Sequence, residues 1–137
     1  MNERPWQIDD LKTPYLRFLG VDIERFDVDV VTLSITVAEQ HCNLQGLAHG
    51  GMLASLLDSV SGYSGLITEE GHQMPAVTLS LSIQYMAPAR CGDTLYAHGR
   101  VTGGGRRVFF THADIIDSNG VCLASATGVF RRPSVRR

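Results

Sequence analysis

The spacing of apolar residues changes period several times along the chain, and each change marks an element. Across 6–19 the apolar positions Ile8, Leu11, Tyr15, Leu16 and Leu19 have the spacing of a short amphipathic helix, interrupted or restarted at Pro14. In 31–37, Val31, Leu33, Ile35 and Val37 alternate with Thr32, Ser34 and Thr36, which is strand patterning. Residues 21–26 form the expected partner strand, with a turn at 27–29. A polar loop at 41–48 contains Asn43 and Gly46. From 50 to 68 the sequence predicts a helix with apolar bulk at Leu53, Leu56, Leu57, Val60 and Leu66 and small residues between them. A helix apolar or small nearly all round is a buried helix.

The remainder reads as strands. Residues 77–85 alternate strictly, with Val77, Leu79, Leu81, Ile83 and Tyr85 on one face. Pro88, Gly92 and Asp93 mark a turn, 95–102 a strand and 103–105 a glycine loop. Strands at 107–116 and 121–130 follow, joined by a turn at 118–120. The order is helix, two strands, central helix, four strands, which predicts an α+β fold: an antiparallel sheet with one long buried helix on one face.

The 137 residues suffice for one domain spanning 1–137, with a short helical segment at 6–19 and a flexible basic tail at 131–137. A formal net charge of −2 and a pI near 6.2 argue against a dedicated nucleic-acid binder. Basic residues do cluster locally, at Arg106 and Arg107 and at Arg131, Arg132, Arg136 and Arg137. Such clusters serve either as solvated surface or as a docking site for a phosphorylated ligand. The three cysteines, Cys42, Cys91 and Cys122, are odd in number and lack C-x-x-C spacing, so neither a disulfide framework nor a zinc site is expected, and no metal or cofactor is called for. The opening MNERPWQIDD lacks the basic and apolar regions of a secretory leader, and no apolar run is long enough for a bilayer. The expectation is a cytoplasmic protein without a membrane partner.

Asp58 is the most informative residue. It is the only charge between Gly51 and Ile67. A carboxylate in an otherwise uncharged helix is costly unless it is paired, exposed on a strip, or functional. The second feature is His49-Gly50-Gly51 where the helix begins. A helix N-terminus offers unpaired backbone N–H groups and the positive end of the dipole, and glycines admit a close approach. That suits a carbonyl oxygen becoming negative; the glycines could equally ease a tight turn into the helix. Gly50 and Asp58 are eight residues apart in sequence, about 12 Å along a helix. If they share a site, they come from different chains, as in a two-fold dimer with antiparallel helices.

Other signals are weaker. His41, His72, His98 and His112 lack ligand spacing, and a His41–Cys42 dyad is disfavoured because sequence neighbours on a loop rarely meet correctly. There is no G-x-S-x-G elbow. Gly103-Gly104-Gly105 before Arg106-Arg107 lacks the G-K-[ST] of a P-loop, and reads as a phosphate contact or a plain hairpin turn.

Together, Asn43, His49-Gly50-Gly51, Asp58 and the run AVTLSLSIQYMAPA at 76–89 resemble the phenylacetate-degradation (PaaI-like) branch of hotdog-fold thioesterases, over about 21–130. The resemblance implies a long central helix wrapped by a curved antiparallel sheet. It implies a homodimer, commonly paired into a homotetramer, with active sites at the dimer interface and acyl-CoA as substrate. In that pattern the Gly50 N–H polarises the thioester carbonyl, and Asp58 of the partner chain is nucleophile or general base. Asn43 and His49 order the site, and Thr78 stands where relatives carry a Ser or Thr that positions the water or the carboxylate. Gly51, Arg90, Gly104, Arg106 and Arg107 are the candidates for holding the CoA moiety. Leu53, Leu57, Tyr63 and Met86 are candidates either for the acyl pocket or for ordinary packing. Two other functions fit the same pattern: a non-catalytic acyl-CoA sensing module, which needs the pocket but not Asp58, and a hotdog hydratase or dehydratase, which needs a paired acid and base.

Overall fold

The computed structural model describes residues 7–68 and 71–134. A 3₁₀ turn at Ile8–Leu11 leads into helix α1 (Pro14–Leu19). Pro14 starts this helix rather than breaking one, because the first helical position needs no N–H. Thr13 caps it, its hydroxyl accepting from the Leu16 N–H at 3.2 Å. The predicted segment's first residue, Trp6, lies outside the described residues.

Strands β1 (Asp22–Asp27), β2 (Val30–Thr36), β3 (Val77–Tyr85), β4 (Thr94–Gly104), β5 (Val108–Asp117) and β6 (Cys122–Arg131) form one antiparallel sheet in the order β1-β2-β4-β5-β6-β3. Helix α2 (Gly50–Ser64) follows β2 and carries the chain to the far edge, where β3 pairs only with β6. The chain then returns to lay β4 beside β2. The predicted α+β arrangement, one long helix on one face of an antiparallel sheet, is the arrangement observed.

The core lies between α2 and the sheet. Leu53, Leu56, Leu57 and Val60 of α2 are buried in one cluster with Val31, Leu33, Leu95, Ala97, Ala113 and Ile115. Burying each such large side chain contributes about 1.5–3 kcal/mol. The helix crosses β4 at Gly99, where a Cβ would stand 2.5 Å from the Val60 carbonyl oxygen. Among the described residues, no helix is long and apolar enough to cross a membrane.

Four readings of the sequence need correction. Helix α2 ends at Ser64, not at 68. Gly65 packs so tightly that a Cβ would lie 2.4 Å from the Phe109 ring, and its carbonyl accepts from Nε and Nη2 of Arg132 at 3.2 and 2.8 Å. Those contacts hold the chain out of the helical path, and Ile67 instead bridges to Gln73. Second, α2 is not covered all round. Leu53, Leu56, Leu57 and Val60 face the sheet, while Ala54, Ser55, Asp58, Ser59 and Gly62 form a half-buried strip. Third, β4 runs through Gly103 and Gly104, which pair with Phe110 and Phe109 instead of forming a loop. Fourth, Arg131 and Arg132 are not tail residues. Arg131 ends β6, and Arg132 is buried, its guanidinium 4.2 Å over the Phe109 ring and bonded to the carbonyls of Gly65, Gly105 and Arg106. Burial lowers its pKa from the usual guanidinium value, and Asp29 partly opposes that shift. Arg136 and Arg137 lie outside the described residues.

Candidate active site

Asp58 sits on the uncovered strip of α2 and meets the end of β3. Its Oδ1 accepts a hydrogen bond from the Thr78 hydroxyl at 2.7 Å. Among the described residues it makes no salt bridge, so an arginine partner does not account for it, while its place on the half-buried strip agrees with the exposed-strip alternative. The bond to Thr78 fixes one carboxylate oxygen and leaves Oδ2 available. This contact depends on an irregularity in β3. Thr78 pairs with Phe130 and Ser80 with Val129, so Leu79 is an extra residue in the strand. The bulge reverses the alternation and puts Thr78 on the same face as Leu81, Ile83 and Tyr85.

The other end of β3 meets the start of α2. Tyr85 donates its hydroxyl to the Gly50 carbonyl at 2.8 Å, and its ring lies over the space a Gly50 Cβ would take, at 3.6–3.7 Å. Gly50 is the first residue of α2, and its N–H makes no hydrogen bond among the described residues. The next N–H, of Gly51, donates to Nδ1 of His49 at 2.8 Å. That bond makes His49 the N-cap and leaves its proton on Nε2 in the neutral ring. It also occupies the Gly51 N–H, so Gly50 is the free donor at this terminus. The Asn43 side-chain oxygen accepts from the Gln45 and Leu47 N–H groups at 2.9 and 3.1 Å, holding the loop that carries His49.

The structure thus brings Asp58 and Thr78 together at one end of β3, and Gly50, Gly51 and His49 together near Asn43 at the other. It does not bring the two groups together within one chain. The CoA candidates divide in the same way. Arg90 stands beside Leu47 near the start of α2. Gly104 and Arg106 line a polar cavity of about 590 Å³ at the far end of the helix, and Arg107 is turned to the Ser134 hydroxyl at 2.8 Å. Thr78, Phe130, Phe109 and Gly104 are consecutive cross-strand partners, placing the β4–β5 hairpin about 14 Å from Thr78.

Asp58 opens onto a groove of about 260 Å³ lined by Leu16, Ser59, Gly62, Tyr63, Leu66 and Phe130, among others. Of the residues considered for an acyl pocket, Tyr63 lines this groove, Leu53 and Leu57 belong to the core, and Met86 is exposed. Gly62, Leu66 and Phe130 were not singled out from the sequence; the i+4 spacing of Gly62 from Asp58 is a signal that could have found one of them. Tyr85 was read as a strand residue only, and its contact with Gly50 follows from a strand crossing that no local pattern encodes.

The His41–Cys42 pair is not a dyad. His41 is buried, with Nδ1 accepting from the Ala38 N–H at 2.9 Å and Nε2 bonded to the Leu19 carbonyl at 2.8 Å. Burial, then the neighbouring Cys91, raises the pKa of the Cys42 thiol, the opposite of an activated nucleophile.

Comparison with known proteins gives the family and the fold. Residues 45–124 match the Thioesterase superfamily, and the chain belongs to that family, with the hotdog fold. A Pseudomonas aeruginosa protein provisionally named an esterase is 38% identical over 88% of this chain and 90% of its own length. The Escherichia coli acyl-coenzyme A thioesterase PaaI is 29% identical over 83% of this chain and 79% of its own. Its solved structure, described as that of a protein from the phenylacetic acid degradation operon, superposes with a TM-score of 0.81 over 89% of this chain and 86% of that one, at 26% identity. A Streptococcus mutans protein solved with acetyl-CoA bound is 28% identical, with a TM-score of 0.75 over 85% of this chain and 91% of that one.

Proposed function

We propose that this thioesterase hydrolyses an acyl-CoA to a carboxylate and CoA, in composite sites that two chains build together. The observation that carries this reading is the placement of two half-sites at opposite ends of one edge strand: Asp58 with Thr78, and Gly50 with Tyr85. An antiparallel β3–β3 pairing about a two-fold axis would set each Asp58 against the partner's Gly50 end. Exposed apolar side chains at Val77, Leu79 and Tyr85 on this otherwise unpaired edge support such a contact. Pairs of these dimers would give the tetramer that the family resemblance implies.

In this site the free N–H of Gly50 and the positive end of α2 hold the thioester oxygen. An oxyanion donor of this kind contributes roughly 3–4 kcal/mol. Asp58 acts through Oδ2 on the carbonyl carbon or on a water, while Thr78 holds Oδ1. Attack on carbon gives an anhydride and expels the CoA thiolate, and water then cleaves the anhydride; deprotonation of water gives the same products in one displacement. Asn43 and His49 set the loop that carries the oxyanion donor. Acyl-CoA as substrate is supported by the name of the Escherichia coli relative and by the acetyl-CoA bound to the Streptococcus mutans protein. In the dimer, Arg90 and Gly51 of one chain would face Gly104, Arg106 and Arg107 of the other, giving the CoA phosphates basic groups from both. A reducing, cytoplasmic compartment suits the three free thiols.

The test is steady-state release of CoA thiol from aryl- and alkyl-acyl-CoAs by wild type and Asp58→Asn. Turnover that collapses in the variant, with CoA binding retained, is the expected result. No turnover with tight acyl-CoA binding in both proteins would instead favour a sensing module.

A further inference from the structure

We propose that Gly62 sets the size of acyl group this enzyme accepts, and that the preferred substrates carry an apolar acyl group long enough to pass it rather than acetyl. The inference rests on the thioesterase reading and concerns the groove that begins at Asp58.

Gly62 lies one helical turn beyond Asp58 on the same strip of α2, about 6 Å further along the axis. The same groove is lined by Leu66, two positions past the end of α2, and by Phe130, Pro75, Ala76 and Leu16 of α1. Beyond the carboxylate and the Thr13, Ser59 and Thr78 hydroxyls its walls are largely apolar, so the part of a substrate lying there is hydrocarbon.

Glycine in a helix interior needs a reason, because it is the worst helix former after proline. Several of this chain's other glycines have a steric one. A Cβ at Gly65 would lie 2.4 Å from the Phe109 ring, and one at Gly99 2.5 Å from the Val60 carbonyl oxygen. Gly62 has none of that kind. Its φ is not positive, and a Cβ there would meet its nearest neighbour, Phe130 Cε2, at 3.4 Å, with Cδ2 at 3.8 Å. A methyl group fits against that ring without moving it. Neither backbone conformation nor close packing within the chain demands the glycine. What it preserves is the space beside the Phe130 ring on the groove's wall, which a methyl group there would fill.

The experiment is a chain-length profile of kcat/KM over acetyl-, butanoyl-, octanoyl- and phenylacetyl-CoA, for wild type, Gly62→Ala and Leu66→Ala, with thermal melting to confirm folding. Wild type is expected to favour the larger groups. Gly62→Ala is expected to lose about tenfold or more on octanoyl- and phenylacetyl-CoA while acetyl-CoA stays within about twofold, the scale of a methylene in an apolar pocket. Leu66→Ala, which deepens the far end, is expected to raise the octanoyl-to-butanoyl ratio. A uniform loss across the panel in Gly62→Ala, or an unchanged profile, overturns the inference. If that variant fails to fold, the Leu66→Ala ratio decides, and no rise overturns it. Absence of wild-type turnover on every acyl-CoA would overturn the thioesterase reading itself, a result distinct from turnover with an unaltered profile.

Discussion

Thr78 reaches Asp58 at 2.7 Å because β3 carries one residue too many, the bulge at Leu79. Without it, Thr78 would face away from Tyr85 and away from α2. A strand irregularity beside a reactive carboxylate commonly serves to re-aim a side chain. Here it allows one strand to contact the middle and the start of the helix with the same face.

Because the contact is a hydrogen bond, the hydroxyl rather than the size of residue 78 is expected to matter to the carboxylate. A hydrogen bond to a charged group contributes about 1.5–3 kcal/mol. Thr78→Val should lower kcat by roughly ten- to a hundredfold with KM little changed, and Thr78→Ser should retain most of the activity. Steady-state kinetics on the three proteins checks this; equal losses in Ser and Val variants would assign the role to the side chain's shape.

The bulge also marks where reading the sequence stops. The alternation over 77–85 gave the strand's limits correctly but assigned Thr78 to the face opposite Tyr85, because period-2 patterning has no signal for an inserted residue. The carboxylate, the helix start and the strand order along the chain were legible, since lone charges and changes of period are local features. The end of α2 was not. Leu66 and Ile67 continue an apolar pattern, and only the meeting of Gly65 with Phe109 and Arg132, 44 and 67 residues away, stops the helix. Arg132 was misread for the same reason: a basic terminal cluster looks like a tail until its carbonyl partners are known.

Tyr85 should act on the oxyanion donor indirectly. Its hydroxyl bonds the carbonyl of Gly50, the residue whose N–H is free. Tyr85→Phe keeps the ring over the helix start and removes one hydrogen bond, worth about 1 kcal/mol. We expect kcat to fall by roughly fivefold, with KM for acyl-CoA and the melting temperature nearly unchanged. A change confined to KM would place Tyr85 in substrate binding instead.

Gly99 should be intolerant of any side chain. The helix axis crosses β4 there, and the clash would be with backbone, the Val60 carbonyl oxygen at 2.5 Å. Backbone cannot swing aside as a flexible side chain can, so Gly99→Ala should cost about 1–3 kcal/mol or more, as overpacked cores do. Thermal or denaturant unfolding measures it. Gly62→Ala, with its nearest contact at 3.4 Å, should show no such loss and serves as the internal control.

The proposed sharing of each site between chains has a test that does not depend on knowing the substrate's acyl group. Gly50→Pro removes the one free N–H at the start of α2. Proline suits a first helical position, and His49 before it already has φ −62° and ψ 136°, the extended conformation a following proline requires. The variant should therefore fold and dimerise, yet lose about 10²–10³ in kcat with the oxyanion donor. Asp58→Asn removes the other half. Each homodimer then has two defective sites, but a dimer of one Gly50→Pro chain with one Asp58→Asn chain has one site with both defects and one with neither. Random exchange of equal amounts makes half the dimers mixed, so the mixture should recover about a quarter of wild-type activity. Recovery after unfolding and refolding the two variants together, with none when they are refolded apart, is the expected result. If Gly50 and Asp58 acted within one chain, no mixture of these variants could contain an intact site, and activity would stay at the level of the separate proteins.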